Sequence, residues 1–338
     1  MESSAPQVTP EITWRVMTGF QMSAAFKAAV ELELFTKVGE GNKTAADIAQ
    51  STGAAERGIR ILADTMTVAG LLKKSGSEYS LTDESAAFLD KCSKMYVGSA
   101  VDFLMGPTQM RGFEDFTNAV RHGGSQISGE ASLDPESPMW VTFARSMMPL
   151  MMPSAQMIAG RIGLPNDEPI KVLDMAAGHG IFGVSVAMQY PKAEIYAADW
   201  KNVLTVATEN AERFGVADRH HLIPGSAFES DFGDDYDVVL VTNFLHHFDP
   251  PTNIEFLRKV HAALKPGGRA FTLEFVPNDD RVSPPSEALF SMVMLAATPA
   301  GDAYTFRELD EMFTAAGFFH SEHIPLAPMP QHLIVSTK

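Results

Sequence analysis

The chain has 338 residues, of which 45% are hydrophobic and 20% charged, and its formal net charge is −16 at pH 7. This composition fits a folded protein long enough for two domains. The negative charge argues against a nucleic acid or an anionic membrane as partner, because both attract clustered Lys and Arg. A single cysteine excludes an intramolecular disulfide. We find no apolar run near the ~20 residues of a membrane span and no signal pattern, and therefore expect a cytoplasmic protein.

The first part of the chain predicts a small helical module. Apolar residues recur at helical spacing over 12–38, and Thr44 followed by Asp47 is the pattern of a capping box that opens a short helix. A second helix is predicted over 59–70 and a hairpin over 71–82, with another helix after it. The order helix, turn, helix, hairpin is a winged-helix outline.

Winged helices often bind DNA, so the charge of this module decides between two hypotheses. Between residues 43 and 90 there are five basic and seven acidic side chains. This balance lacks the positive surface that phosphates require, and it favours a packing or dimerisation module. The apolar helical segment 12–38 has no core of its own, and we therefore expect it to interleave with a second copy in a homodimer.

Helices are predicted next over 96–121 and 138–160, separated by a glycine- and serine-rich loop at 123–129. The turn residues at 165–169 mark a domain boundary. Strands then alternate with helices, which predicts a parallel sheet covered on both faces. These strands are 170–174, 194–199, 220–223, 236–242 and 269–276.

The last two strands, 317–326 and 331–336, are joined by a short proline-rich loop. A loop this short can join only antiparallel neighbours. The sequence therefore predicts an α/β domain whose last strand is reversed, unlike the sheet of a plain dinucleotide-binding fold.

A glycine turn follows the first of these strands. Gly178 and Gly180 allow a tight turn and the close approach of a ligand, and Asp199 stands roughly 20 residues further on, where a carboxylate can hold a ribose diol. With Gly183 the turn also satisfies the dinucleotide pattern G-x-G-x-x-G, so a nicotinamide oxidoreductase is an alternative. Asp174, just before the turn, would repel a pyrophosphate but attract a cationic amino-acid group. We therefore favour a nucleoside-bearing cofactor with a positive charge.

A histidine pair lies at the carboxyl end of the strand 236–242, the edge of an α/β sheet where ligands bind. Neutral His246 is placed to accept a proton, and Glu274, near the end of the next strand, could orient the imidazole. Either histidine could instead cap a helix or pack in the core. A metal site of His246, His247 and Asp249 is a further alternative, but no other ligand is evident.

The motif D-x-A-x-G-x-G at 174–180 and Leu-Lys-Pro-Gly-Gly at 264–268 resemble those of class I S-adenosylmethionine-dependent methyltransferases. With the winged-helix outline and the histidine pair, nearly the whole chain resembles the small-molecule O-methyltransferases of the caffeic-acid, acetylserotonin and bacterial natural-product types. The resemblance implies a Rossmann-like domain with a seven-stranded sheet, S-adenosylmethionine as cofactor with S-adenosylhomocysteine as product, no metal, and a small aromatic acceptor. It assigns 1–100 to dimerisation, 101–165 to a helical linker that contributes to the acceptor pocket, and 166–338 to cofactor binding.

In this family a histidine after the fourth strand is the general base, and that position is His246 here. The flanking glutamate of the family corresponds to Glu274. A second flanking glutamate is replaced by Ala303, so the base is supported from one side only unless Asp302 or Tyr304 substitutes.

The resemblance also implies binding residues. The family's acceptor motif appears at Phe143 and Met147, and Met294 and Thr298 match acceptor positions from the far side. The implied cofactor residues are Asp174, Gly178, Gly180, Asp199, Trp200, Ser226, Phe228, Thr242 and Asn243. Transfer to carbon or nitrogen of a pigment-like or polyketide-like acceptor is an alternative function, as is a cofactor-binding descendant that transfers no methyl group.

Overall fold

We analysed a computed structural model of the chain, which describes residues 8–127 and 137–338. The chain forms two compact units, of which the first ends at Val101 and the second begins at Asp102. The three-part division inferred from the sequence stays a prediction. Within the described ranges, no helix is both long enough and apolar enough to cross a membrane.

The first unit is mainly helical and surrounds a core that includes Leu34, Phe35 and Ile48. Its elements are α1 (Glu11–Glu31), α2 (Leu34–Gly39), α3 (Ala45–Thr52), α4 (Glu56–Val68), β1 (Leu72–Ser75), β2 (Glu78–Leu81) and α5 (Asp83–Phe88). The prediction of one helical stretch over 12–38 is wrong in one respect. Glu33 has a left-handed φ of 54°, which no continuous α-helix contains, and it divides the stretch into α1 and α2.

The capping box and the hairpin of the first unit are confirmed. The Thr44 hydroxyl accepts the Asp47 N–H at 3.2 Å, and the Asp47 carboxylate accepts the Thr44 N–H at 3.1 Å. Strands β1 and β2 pair antiparallel, with Leu72 opposite Leu81.

The second unit begins with helices where one longer helix was predicted over 96–121. The structure has α6 (Val101–Leu104), α7 (Pro107–Glu114) and α8 (Phe116–His122), followed by the long helix α9 (Pro138–Ala159). The break before α7 falls at Gly106–Pro107, since the residue before a proline is driven out of the α conformation. The predicted loop at 123–129 lies partly outside the described residues.

A seven-stranded sheet forms the centre of the second unit, in the order β5-β4-β3-β6-β7-β9-β8. Its strands are β3 (Ile170–Met175), β4 (Ala193–Asp199), β5 (His220–Pro224), β6 (Tyr236–Thr242), β7 (Leu264–Glu274), β8 (His320–Pro325) and β9 (His332–Thr337). The helices are α10 (Ile181–Gln189), α11 (Lys201–Arg213), α12 (Pro250–Ala263), α13 (Pro285–Ala297) and α14 (Phe306–Ala316). Strand β9 is antiparallel to both neighbours, which confirms the predicted reversed last strand.

Two strands differ from the prediction by more than one residue at an end. Strand β7 spans Leu264–Glu274 instead of 269–276, and β8 begins at His320 instead of 317. In the second case Gly317 ends α14 in a left-handed conformation, with φ of 103°, so the strand starts only after it.

The register of the sheet brings the chemistry-bearing residues to one edge. Asp174 lies opposite Ala197 and Leu240, two residues before the ends of β4 and β6, and Glu274 ends β7 beside His332, the first residue of β9. Because β3, β4, β6 and β7 are parallel, their carboxyl ends meet there. This edge is where ligands of open α/β sheets bind.

The capping box at Thr44 gives a test of the first unit. Thr44→Ala removes the acceptor for the Asp47 N–H, and we expect a loss of about 1 kcal/mol in the free energy of unfolding measured by urea denaturation. Thr44→Ser keeps the hydroxyl and should retain most of the stability. Equal stability of the alanine and serine variants would contradict this role of the cap.

Candidate active site

The turn between β3 and α10 is built on glycines in left-handed conformations. Gly178 has φ of 58° and Gly180 of 70°, both in a region that favours glycine. A Cβ on Gly180 would lie 2.8 Å from Ala207 Cβ, so helix α11 also requires a glycine there. Gly178 and Gly180 are both buried, and α11 packs closely against the turn.

Two carboxylates hold this turn in place. Asp199 accepts the N–H of Gly178 at 2.8 Å and that of Trp200 at 2.6 Å. Asp174 is fully buried and accepts the Gly183 N–H at 3.0 Å through one oxygen, while its Oδ1 has no hydrogen-bond partner. Asp174 of β3 thus lies beneath the turn and binds the first turn of α10, and its predicted contact with a ligand stays a prediction.

The electrostatics of the two carboxylates favour a cationic ligand. Burial raises the pKa of Asp174 to about 7, and the nearby Asp199 adds to this shift. Burial also raises the pKa of Asp199 to about 6, against the lowering effect of its two N–H donors. Within the described ranges neither carboxylate has a salt bridge to a Lys or Arg. A positively charged ligand would relieve this repulsion and a pyrophosphate would increase it, so the turn fits a nucleoside with a cationic group.

The loop after β5 lies next to Asp199, since the Gly225 N–H donates to the Asp199 carbonyl at 2.9 Å. In this loop the Ser226 hydroxyl accepts the N–H of Phe228 at 3.2 Å. The Phe228 ring packs on three others, at centroid distances of 6.2, 5.0 and 5.8 Å; they are Phe244, Phe248 and Phe256. Contacts of Ser226 and Phe228 with an adenine stay predictions.

Of the other predicted cofactor residues, Trp200 packs with Trp140 against a small cluster between α9 and α11. Thr242 is buried at the end of β6. Asn243 follows it with a left-handed φ of 53° and accepts an N–H from Gln331 at 2.8 Å. The structure therefore brings these residues to the sheet edge, while their contacts with a ligand stay predictions.

His246 and Glu274 form a buried pair. The imidazole Nδ1 lies 2.6 Å from Glu274 Oε2, and Glu274 Oε1 accepts the N–H of Phe244 at 2.9 Å and of Leu245 at 2.8 Å. His246 is only 5% exposed. Because Nδ1 donates its proton to the carboxylate, Nε2 of the neutral ring carries a lone pair that can accept a proton.

His247 has a different environment. Its Nδ1 donates to the Phe244 carbonyl at 3.2 Å, and its ring packs edge-on against Trp140 at 5.6 Å. Burial, with a contribution from His246, holds the pKa of His247 well below its usual value. His247 is therefore a neutral packing residue beside the pair.

On the second flank of His246, neither candidate takes the place of the missing glutamate. Ala303 is fully buried. Asp302 pairs with Arg281 at 3.1 Å and accepts the N–H of Ala303. The Tyr304 hydroxyl donates to the Phe248 carbonyl at 2.5 Å. Both side chains are engaged elsewhere, so the carboxylate contact with His246 comes from Glu274.

Helix α9 covers both the glycine turn and the histidine pair. Phe143 stacks on His179 with ring centroids 6.1 Å apart, and a Cβ on Gly178 would lie 3.6 Å from the Phe143 ring. Trp140 packs edge-on against Phe143 at 5.9 Å and also contacts His247. Met147 is buried on the same helix. One face of α9 therefore contacts both the glycine turn and His247.

The opposite wall contains residues that the sequence analysis missed. Phe275 and Phe290 stack with centroids 3.9 Å apart, and Phe290 meets the His246 ring edge-on at 4.9 Å. Phe290 lies four residues before the predicted Met294 on α13, so the two share a helix face, and this spacing could have indicated Phe290 from the sequence. Thr298 is less suited to a ligand, because its hydroxyl already donates to the Met294 carbonyl and accepts the Gly301 N–H, both at 2.8 Å.

Within the described residues, no group of three or more His, Cys, Asp and Glu side chains has the arrangement of a metal site. The alternative of His246, His247 and Asp249 as ligands is not supported by the geometry. Asp249 caps α12 by accepting the Thr252 N–H at 2.9 Å, and Nδ1 of both histidines is engaged.

Comparison with known proteins identifies two family models. Residues 161–319 match an O-methyltransferase domain, and residues 14–91 match an O-methyltransferase dimerisation domain.

Similar proteins cover nearly the whole chain. A crystal structure of a candidate O-methyltransferase from Nostoc punctiforme is 48% identical, with a TM-score of 0.94, over 98% of this chain and all of that one. The 3-hydroxy-5-methyl-1-naphthoate 3-O-methyltransferase of Streptomyces sahachiroi is 26% identical over 91% of this chain and 89% of its own. Human N-acetylserotonin methyltransferase, solved in complex with S-adenosylmethionine, shares the fold with a TM-score of 0.85 at 22% identity, over all of this chain and 99% of that one.

Asp199 gives a test of the cofactor site. We expect Asp199→Ala to weaken S-adenosylhomocysteine binding by roughly 1–3 kcal/mol in calorimetry, because charge-assisted bonds to the ribose are lost. Ribose hydroxyls donate to the ionised carboxylate, so protonation of Asp199, whose pKa is about 6, should weaken binding by at most about tenfold per pH unit below that pH.

Asp199→Asn is the matched control, since it keeps the shape of the side chain but cannot titrate. Between about pH 6.5 and 5 its affinity should fall less steeply than that of the wild-type protein, because of the two carboxylates at the turn only Asp174 still titrates there. A wild-type affinity that does not change with pH in that range would contradict the assignment of Asp199 to the ribose.

Proposed function

We propose that this chain, which belongs to the S-adenosylmethionine-dependent O-methyltransferase family, methylates a hydroxyl group of a small aromatic acceptor. Family membership makes it an enzyme of class 2.1.1 with S-adenosylmethionine as methyl donor. The observation that carries the finer proposal is the His246–Glu274 pair, which lies beside the aromatic walls of α9 and α13.

The chemistry supplied by the bound donor is a methyl group already activated by the sulfonium charge. The protein must then remove the proton of the acceptor hydroxyl as the oxygen–carbon bond forms. We assign this step to Nε2 of His246, because Nδ1 is committed to Glu274. The proton moves from the acceptor oxygen to Nε2, and Glu274 stabilises the imidazolium that results.

Most of the rate enhancement would come from positioning. Holding two reactants in line is worth up to roughly 7–11 kcal/mol, whereas a general base contributes less. Phe143 packs on His179 of the glycine turn and on Trp140, and Phe290 packs edge-on against His246. Flat aromatic acceptors suit such walls, since ring pairs attract in stacked or edge-on arrangements. The Streptomyces relative acts on a hydroxynaphthoate, which fits this class.

An acceptor screen tests the proposal directly. Phenols, hydroxyindoles and quinols are incubated with S-adenosylmethionine labelled in its methyl group, and the products are identified by mass and by the atom that carries the label. Label on oxygen is the expected result. Label on carbon or nitrogen would favour the alternative acceptors, and binding of the donor without transfer to any acceptor would indicate a non-methylating descendant.

His246 is the residue that the mechanism depends on. We expect His246→Ala to lower kcat about 10²–10⁴-fold, the usual contribution of a general base, with little change in donor affinity. Glu274→Gln should give an intermediate loss, because it orients the ring but does not take the proton.

His247→Ala is the matched control and should cost far less, since that ring only packs beside the pair. With Ala303 on the second flank, an acceptor acidic enough to ionise unaided would not need the base. In that case His246→Ala would keep most of its activity and the pH profile would follow the pKa of the acceptor, which would contradict the general-base role.

The match to a dimerisation domain and the surface of α1 support a homodimer. The first half of this helix exposes a series of large apolar side chains, Ile12, Trp14, Val16, Met17 and Phe20. We expect light scattering at micromolar concentration to give close to twice the 36.7 kDa mass of one chain. Trp14→Glu should shift the protein toward monomer, and a stable wild-type monomer would contradict the proposal.

A further inference from the structure

A buried amide at the start of the last strand connects three parts of the second unit. Gln331 is only 2% exposed. Its Nε2 donates to Asn243 Oδ1 at 2.8 Å and lies 3.4 Å from Met151 Sδ, and its Oε1 accepts the Ser154 hydroxyl at 3.2 Å. One side chain in the loop between β8 and β9 thus bonds to helix α9 and to the turn after β6.

The turn after β6 has an unusual main-chain conformation at the point of contact. Asn243 has φ of 53°, which asparagine tolerates better than most residues but still at a cost. Its N–H donates to the Leu273 carbonyl at 2.8 Å, and its side-chain Nδ2 lies 3.6 Å from Met151 Sδ. This conformation turns the chain so that the next two N–H groups reach Glu274. His246 follows directly.

The other contacts of Gln331 are with helix α9. Met151 and Ser154 belong to α9, the helix whose Trp140 and Phe143 cover the histidine pair and the glycine turn. The Gln331 amide therefore connects the helix that covers the glycine turn with the turn that leads to His246. A hydrophobic side chain of the same length would leave the Asn243 and Ser154 groups without this partner.

We infer that Gln331 is a positioning residue for methyl transfer: it holds the left-handed turn at Asn243, and through it His246, against α9. The inference rests on the proposed function in assigning the base to His246. Gln331 itself touches neither the donor turn nor the imidazole among its hydrogen bonds, so it acts through Asn243. A purely structural amide would affect the stability of the whole unit instead.

Hydrogen–deuterium exchange with saturating S-adenosylhomocysteine tests the positioning without an acceptor. In Gln331→Met we expect the amides of 243–248 to exchange about 5- to 10-fold faster, because a typical buried hydrogen bond no longer opposes local opening. Asn243→Gly should have a similar effect, since glycine adopts this φ without a side chain to hold. The double variant should exchange no faster than the faster single variant, because both substitutions remove the same interaction.

Ser336→Ala is the matched control. Ser336 is a fully buried residue of β9, the strand that follows Gln331, and its 2.9 Å hydrogen bond to Ser321 is distant in sequence from the segment 243–248. It should lower the melting temperature without faster exchange in 243–248. Unchanged exchange of that segment in Gln331→Met, or faster exchange spread evenly over the sheet, would overturn the inference.

Turnover with the acceptor found in the screen provides the second measurement. Gln331→Met should lower kcat about tenfold and leave the KM for S-adenosylmethionine within about twofold, since the base and not the donor turn is displaced. If His246→Ala inactivates the enzyme but Gln331→Met has a normal kcat, the inference about Gln331 is overturned and the role of His246 stands. If His246→Ala stays active, the assignment of the base to His246 fails, and the exchange result still decides whether Gln331 holds the turn.

Discussion

The carboxylate of Glu274 is the interaction on which the candidate active site depends. One of its oxygens accepts two consecutive main-chain N–H groups, and the other binds the Nδ1 of His246. The same group therefore shapes the turn after β6 and selects the tautomer of the imidazole. Glu274 is buried, and a buried carboxylate without such partners would be strongly unfavourable. Removing the carboxylate would therefore leave both the turn after β6 and the imidazole of His246 without their hydrogen bonds to Glu274.

The two carboxylates at the glycine turn resemble Glu274 in their contacts with main-chain N–H groups but differ from it in how their charge is compensated. Asp174 and Asp199 also bind main-chain N–H groups of a turn, but burial raises both pKa values toward neutrality, and the nearby Asp199 adds to the shift of Asp174. Protein groups surround the carboxylate of Glu274, whereas at the glycine turn a bound ligand would compensate part of the negative charge. Such a site favours a cation, which agrees with the sulfonium and ammonium groups of S-adenosylmethionine.

Because Ala303 replaces the second flanking glutamate, a single carboxylate, that of Glu274, is bonded to His246. Asp302 and Tyr304 are committed to Arg281 and to the Phe248 carbonyl, so they stabilise the surrounding loops instead of the imidazole. Aromatic packing by Phe290 and the His247 ring occupies the space around His246. The geometry of His246 therefore relies on Glu274 and on packing.

The sequence by itself determined the parallel sheet with its reversed last strand, the capping box at Thr44, and the positions of the glycine turn, Asp199, His246 and Glu274, because each of these follows from local spacing and periodicity. It could not determine where one helix breaks into two, as at Glu33, since a single left-handed residue has no reliable local signal there. Only the tertiary structure decided that Asp174 lies beneath the turn, that Phe290 faces His246, and that Gln331 reaches Asn243 across 88 positions of sequence. These contacts depend on the packing of distant elements, and no local pattern encodes which side chains meet.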